Sequence, residues 1–430
     1  MSNQSRRSFL KQSALGGVIL GMSAQSYRST FAADPPSERV RVGMIGVGNQ
    51  GGPKNNMKYF LHNIVALCDL DQNYLGAAAD FLQKEAGLKA MMTDDYRRVL
   101  DAKDVDAVVV TVPDHWHAIM SIEACKAGKD VYCEKPLTLV VGEGRPMIEA
   151  ARTHGRVVQT GSMQRSGEEF KLAVDLIQKG IVGNVRSVNV TLPSPNWIER
   201  AGKPVPDSAP PDGFDFNRWL GPAPLRPYNT NRVHYLFRFF WDYSGGQQTN
   251  FGAHHLDIAQ WGLGMDDSGP VRVEGSAIFN PDGWYETPDT TEIKYTYNNG
   301  ITLTCRQRLN TKSSDQGTEF VGDRGSLFVY RGGIRTNPVE LLKDVDVPKI
   351  VNQHANVSHV NNFFDCVKTR KTPAADISIG HRSATVCHLG NIAVRTNKVI
   401  HWDPKTETII GDPEASRWLT KEYREPWSLG

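Results

Sequence analysis

The stretch Val40 to Asp71, VRVGMIGVGNQGGPKNNMKYFLHNIVALCDLD, constrains the fold more than any other part of the chain. An apolar run leads into Gly46-Val47-Gly48-Asn49-Gln50-Gly51, and a second run, Ile64 to Leu67, ends on Asp69. Strand, glycine turn, helix, strand and an acidic residue roughly 20 positions on are the parts of a dinucleotide-binding βαβ unit. Gly46 permits the tight turn, Gly48 carries no Cβ to block a pyrophosphate, and Gly51 allows close helix packing, while the helix N-terminus is expected to face the phosphates. Asp69 can accept both ribose hydroxyls of an adenosine. With Asp71 it repels a 2′-phosphate, and no Arg follows to receive one, so the spacing favours NAD over NADP.

The alternation continues beyond Asp71. Helices are expected at Asn73 to Ala86 and Asp95 to Leu100, followed by a β-branched run, Asp106 to Val112, of the kind buried in parallel sheets. Pro113 to His117 then opens a helix to about Ala127. Asp130 to Cys133 is the next strand, closed by Glu134-Lys135-Pro136. Pro136 has no N–H to extend the ladder, so Glu134 and Lys135 are presented at the mouth of the crevice. A helix Leu139 to Thr153 and a strand Arg156 to Thr160 complete the unit.

The first residues read as an address. Ser5-Arg6-Arg7-Ser8-Phe9-Leu10-Lys11 precedes a mildly apolar stretch broken by glycines, with small residues near Ala32 and Ala33. This pattern predicts a twin-arginine export signal over residues 1–33 and a periplasmic location. The length of 430 residues then suits two domains, expected at 38–160 and 161–403, with a tail from 404 to 430. A formal net charge of +2 gives no electrostatic case for nucleic acid or acidic membranes. Six scattered cysteines lack metal or redox spacing and read as buried thiols.

GVGNQG, CDLD, TVPDHWHA, VYCEKP and NFGAHHLDIAQW together resemble the Gfo/Idh/MocA oxidoreductases, over nearly all the chain after the signal. The resemblance implies an NAD(P)-binding Rossmann domain followed by an α/β domain with a large, mostly antiparallel open sheet covering the nicotinamide and binding a sugar or polyol. It further implies that Lys135 lies beside the reacting carbon, and that a downstream Asp and His, four apart, serve proton transfer. This chain departs there: the position four before His254 is Asn250. Pro113, His117 and Arg165 match positions that line cofactor and substrate.

The residues support that outline. An amphipathic helix is expected at Glu168 to Lys179, and strands at Val185 to Leu192, Val271 to Phe279, Thr290 to Tyr297, Ile301 to Arg308 and Ser326 to Tyr330. Alternation between Ile293, Tyr295, Tyr297 and their polar neighbours gives this sheet a wet face, a candidate subunit interface in a homo-oligomer. Asn362 to Thr369 and His381 to Val394 read as closing helices, and the tail after Pro404 is a candidate to wrap back over the first domain. Tail and Asp34 to Arg39 are both candidates to close over the adenosine.

His254, near its intrinsic pKa of about 6.5, is a candidate acid/base. Asp257, three residues on, is a candidate to orient it in place of the missing carboxylate; otherwise proton transfer rests on Lys135. The adjacent His254 and His255 point in different directions, so the HHxxD pattern is not read as a metal site. Trp197, Arg200, Tyr228, Arg238 and Trp241 form an aromatic and arginine-rich neighbourhood suited to sugar C–H faces and hydroxyls. The sequence thus predicts a twin-arginine exported, NAD-dependent oxidoreductase acting on a carbinol of a sugar, glycoside or polyol, with tightly held cofactor. The alternatives are a redox-neutral NAD-dependent glycoside lyase or hydrolase, and a non-catalytic NAD- and sugar-binding protein.

Overall fold

The computed structural model describes residues 38–195, 204–279, 284–347 and 354–430. The expected export signal lies outside them, as do Trp197, Arg200 and all but the last two residues of Asp34 to Arg39. Val40–Gly430 forms one densely connected unit.

Six strands, β1 (Val42–Ile45), β2 (Ile64–Cys68), β3 (Met91–Thr93), β4 (Ala107–Val110), β5 (Asp130–Cys133) and β6 (Val158–Thr160), form a parallel sheet in the order 3-2-1-4-5-6. Its strands are apolar on both faces because helices cover both, which is why they read as continuous Val, Ile and Ala runs. The strand order reverses between β1 and β4, and the crevice at their carboxyl ends is the ligand site of such a sheet.

The segment after the glycine turn departs from expectation. Residues 49–56 form successive turns, and only Met57–Phe60 is α-helical. Gly51-Gly52-Pro53 and Asn55-Asn56 are poor helix formers, so the chain crosses back to β2 without a helix long enough to aim a dipole. Gly46 adopts φ +84°, where a Cβ would sit 2.6 Å from the Thr111 carbonyl, and a Cβ on Gly51 would strike the Gly46 carbonyl. Both glycines are thus fixed by backbone approach. The helix expected from Leu139 begins only at Gly144, because the Glu143 carboxylate accepts from the Leu139 and Val140 N–H groups and holds them in an extended lead-in.

The second sheet has nine strands: β7 (Val185–Leu192), β8 (Arg272–Phe279), β9 (Pro288–Thr296), β10 (Thr302–Gln307), β11 (Gly317–Gly322), β12 (Gly325–Tyr330), β13 (Gly333–Asn337), β14 (Ile400–Asp403) and β15 (Thr408–Ile409). Their order is 13-12-11-7-10-9-8-14-15, antiparallel except for the β7–β10 pair. One face alternates into a core with the helices Glu168–Gln178, Gly252–Gly262 and Ile377–Thr396. The other carries Glu292, Lys294, Arg306 and Asn189. All six cysteines are free and buried.

Candidate active site

A cleft runs along the carboxyl ends of β1, β2, β4 and β5. Gly46, Gly48, Asn49 and Gln50 from the glycine turn line it, with Asp69, Pro113, His117, Glu134 and Lys135. Gly51 stands behind the turn as a packing position. A Cβ on Gly48 would press within 3.1 Å of the Tyr74 ring, which lines the same cleft.

Asp69 is held at the end of β2 by backbone: its Oδ2 accepts from Val47 N at 2.8 Å and its Oδ1 from Asp71 N at 3.0 Å. Burial pushes its carboxyl up to about 6, against the lowering effect of those N–H groups. A half-buried acceptor with lone pairs left over suits ribose hydroxyls, and the turn with no side chain at Gly46 or Gly48 leaves room for a pyrophosphate. The residues therefore fit a dinucleotide. Arg97 and Arg218 also line the cleft, but Arg97 approaches Glu123 and Arg218 pairs with Asp94, so neither stands ready for a 2′-phosphate.

Lys135 closes the opposite end. Its Nζ donates to the Asn250 carbonyl and to Asn250 Oδ1, both at 3.0 Å. Asn250 Nδ2 in turn donates to Gln247 Oε1 at 2.8 Å, which fixes which way the amide points. The ammonium thus meets two neutral oxygens where a carboxylate would compensate its charge. Burial, with Arg238 and Arg331 adding to it against Glu134 and Asp114, brings Lys135 down to about 8. Glu134 is tied to Asn56 Nδ2 at 2.7 Å and to the Lys135 N–H.

His117 is buried, with Nδ1 2.8 Å from the Pro136 carbonyl and Nε2 2.9 Å from that of Val112. Only an imidazolium donates to both. Burial opposes that charge, but Cys133, Asp114 and the Pro136 carbonyl outweigh it and push the ring up to about 10. His117 therefore clamps the end of β4 to the turn that carries Lys135.

Several expected residues are placed elsewhere. His254 does not line the cleft: Asn250 ends one helix, Gly246–Asn250, Phe251 breaks it, and His254 belongs to the next, Gly252–Gly262. Burial, then Arg331 and Lys135, hold its ring well below the usual histidine range, and its Nδ1 has no hydrogen-bond partner among the described residues. Asp257 does not orient it. Its carboxylate takes Arg165 Nε and Nη2 at 2.8–3.0 Å and the Ser383 hydroxyl. Arg165, 2% exposed, is completed by Asp266 and lies behind the helix, away from the cleft. Sequence showed the charges but not that they neutralise one another. Trp241 packs against the Arg395 guanidinium, 4.1 Å away, and Tyr228 belongs to an aromatic cluster with Phe214 and Phe216. Of the described residues of that neighbourhood only Arg238 lines the cleft, its guanidinium lying over the Tyr235 and Phe237 rings.

Trp116 lies within the TVPDHWHA motif, while other lining residues carried no signal of their own: Tyr74, Tyr96, Phe214, Trp219, His234, Phe237 and, from the tail, Trp427. They arrive from distant segments, and nothing in their local pattern marks them.

The family described as "Oxidoreductase family, NAD-binding Rossmann fold" matches residues 40–162, and "Oxidoreductase family, C-terminal alpha/beta domain" matches 170–429. An uncharacterized oxidoreductase, YrbE, of Bacillus subtilis is 26% identical over 294 residues, covering 67% of this chain and 73% of that protein. An alpha-N-acetylgalactosaminidase of Shewanella oneidensis is 30% identical over 211 residues, 43% of this chain and 45% of its own length. The aldose-aldose oxidoreductase of Caulobacter crescentus, complexed with glycerol, superposes with a TM-score of 0.65 over 84% of this chain and 99% of its own, at 19% identity, a likeness of fold. The chain belongs to the Gfo/Idh/MocA oxidoreductases, with an NAD-binding Rossmann fold followed by the family's C-terminal α/β domain.

Proposed function

We propose that the protein oxidises a carbinol carbon of a sugar, glycoside or polyol, with Lys135 as the group that takes the proton. The observation that carries this reading is Lys135 itself: a half-buried amine at the end of β5, lowered to about 8 and fixed by Asn250. Bound NAD supplies the hydride acceptor at its nicotinamide C4. Neutral Lys135 Nζ accepts the hydroxyl proton as the C–H electrons leave, so the products are a carbonyl, an ammonium on Lys135 and reduced nicotinamide. In the reverse direction the ammonium donates to the forming alkoxide, and an acid or base acts best with a pKa near the working pH. Glu134 and His117 position Lys135.

The likeness to the Shewanella galactosaminidase supports a second reading, a redox-neutral enzyme that oxidises a sugar hydroxyl transiently, acidifies the neighbouring C–H and returns the hydride after a glycosidic bond has broken. Both readings use Lys135 alike. Mixing NAD-loaded protein with free sugars and with aryl glycosides separates them: accumulation of reduced nicotinamide supports the dehydrogenase, and aglycone release without net reduction supports the redox-neutral enzyme. We take the Ser5 to Lys11 motif as an address for export, tested by fractionating cells that carry the natural chain or an Arg6→Lys, Arg7→Lys chain.

A further inference from the structure

Trp427 comes to the cofactor cleft from the far end of the chain. Its indole meets Trp116 edge to face at 4.6 Å, and the Arg97 guanidinium lies 5.2 Å from its ring and 4.7 Å from that of Tyr96. Tyr96 and Arg97 follow β3, which pairs with the strand that ends on Asp69, and the Trp116 ring, after β4, meets Tyr96 edge to face at 6.0 Å, so the group gathers at the end of the cleft where the adenosine would lie.

The segment that brings Trp427 there is anchored along its length. Thr420 packs on Gly142, where a Cβ would come within 2.9 Å of it. Lys421 Nζ pairs with Asp242 Oδ1 at 2.7 Å, and the Tyr423 hydroxyl donates to the Glu143 carboxylate. Arg424 uses Nε, Nη1 and Nη2 on the Gly221 carbonyl, Asn217 Oδ1 and the Asn217 carbonyl at 2.7–2.9 Å, and its N–H on the Pro222 carbonyl at 3.0 Å. Asn217 to Pro222 belongs to the segment whose Phe214, Arg218 and Trp219 line the cleft, and Trp219 O accepts from Trp116 Nε1 at 2.9 Å. The tail therefore bridges the second domain, the covering segment and the Rossmann helices.

We infer that Thr420–Gly430 is a strap that holds NAD in place, with Trp427, Arg97, Trp116 and Tyr96 forming a slot for the adenine ring. Aromatic faces and a guanidinium plane are the chemistry that recognises a purine base. Adenosine leaves this end only when Trp427 moves, and Trp427 moves only when the Arg424 contacts release. The inference rests on the NAD-binding assignment and is independent of the substrate.

The test is the rate at which NAD leaves, measured by loading the full chain with labelled NAD and chasing with excess unlabelled NAD. The parent is expected to retain label through gel filtration. Trp427→Ala and Arg424→Ala are expected to release it at least about tenfold faster, as loss of one stacking partner implies, and Trp427→Phe, which keeps a ring, is expected to stay within a few-fold of the parent. Circular dichroism of each variant guards against misfolding. Parent protein that exchanges its label within the mixing time, or Trp427→Ala and Arg424→Ala chains that fold and release no faster than the parent, would overturn the strap.

Discussion

At the scale of single residues, the contact that decides the chemistry is Lys135 Nζ on Asn250 Oδ1. A depressed amine pKa means that the base form is present above about 8 and lost below it. The rate constant kcat/KM for carbinol oxidation is therefore expected to rise with pH to a plateau above about 8, and that for carbonyl reduction to fall over the same range. Asn250→Asp puts a carboxylate beside the ammonium and favours its charged form, moving both midpoints upward by about one pH unit or more. A profile unchanged by the substitution would remove Asn250 from the proton path. Lys135→Met is expected to abolish turnover while leaving NAD affinity within a few-fold. Asp69 makes a second pH prediction, at a lower pH: with its carboxyl raised to about 6, its full acceptor capacity exists above that pH. NAD affinity in calorimetric titrations is expected to weaken as pH falls through about 6, and Asp69→Ala to lose about 1.5–3 kcal/mol for NAD, with a smaller loss for NADP.

At the scale of elements, the break at Phe251 explains why sequence spacing misled. Asn250 and His254 read as one turn of one helix, but the helix ends at Asn250 and restarts at Gly252. Asp257 then faces Arg165 and Ser383 on the side packed against the helix Ile377–Thr396. Removing one partner of a buried ion pair leaves the other uncompensated, at a cost of about 3–5 kcal/mol. Arg165→Met should accordingly lower the denaturant midpoint strongly while folded protein still binds NAD. A normal midpoint with selective loss of sugar binding would return Arg165 to the substrate site. The strands with clean alternation or β-branched runs, such as Val185–Leu192 and Asp130–Cys133, were legible with correct ends. Gly317–Gly322 and Gly333–Asn337 were not, because glycines open both and the pattern is too short to stand out. Only tertiary pairing makes them strands.

At the scale of the whole molecule, the glycine turn, Asp69, Glu134 and Lys135 were legible because a βαβ unit fixes where each strand end must lie, whatever surrounds it. The cleft's outer wall was not. Phe214, Trp219, His234, Phe237 and Trp427 come from a long irregular segment and from the tail, whose paths depend on contacts as distant as Arg424 with Gly221. The tail's return over the first domain is legible in direction only, and its anchors emerge from tertiary contacts. The chemistry comes down to whether a carbinol hydride reaches the nicotinamide in this cleft. Purified protein loaded with NAD, mixed in single turnover with a panel of sugars, glycosides and polyols, is monitored by the near-ultraviolet absorbance of reduced nicotinamide. Absorbance is expected to rise to a stoichiometric fraction of bound NAD with a subset of the panel, and not to rise in Lys135→Met. Bound NAD that stays oxidised on every time scale while a substrate is consumed would contradict hydride transfer in this cleft.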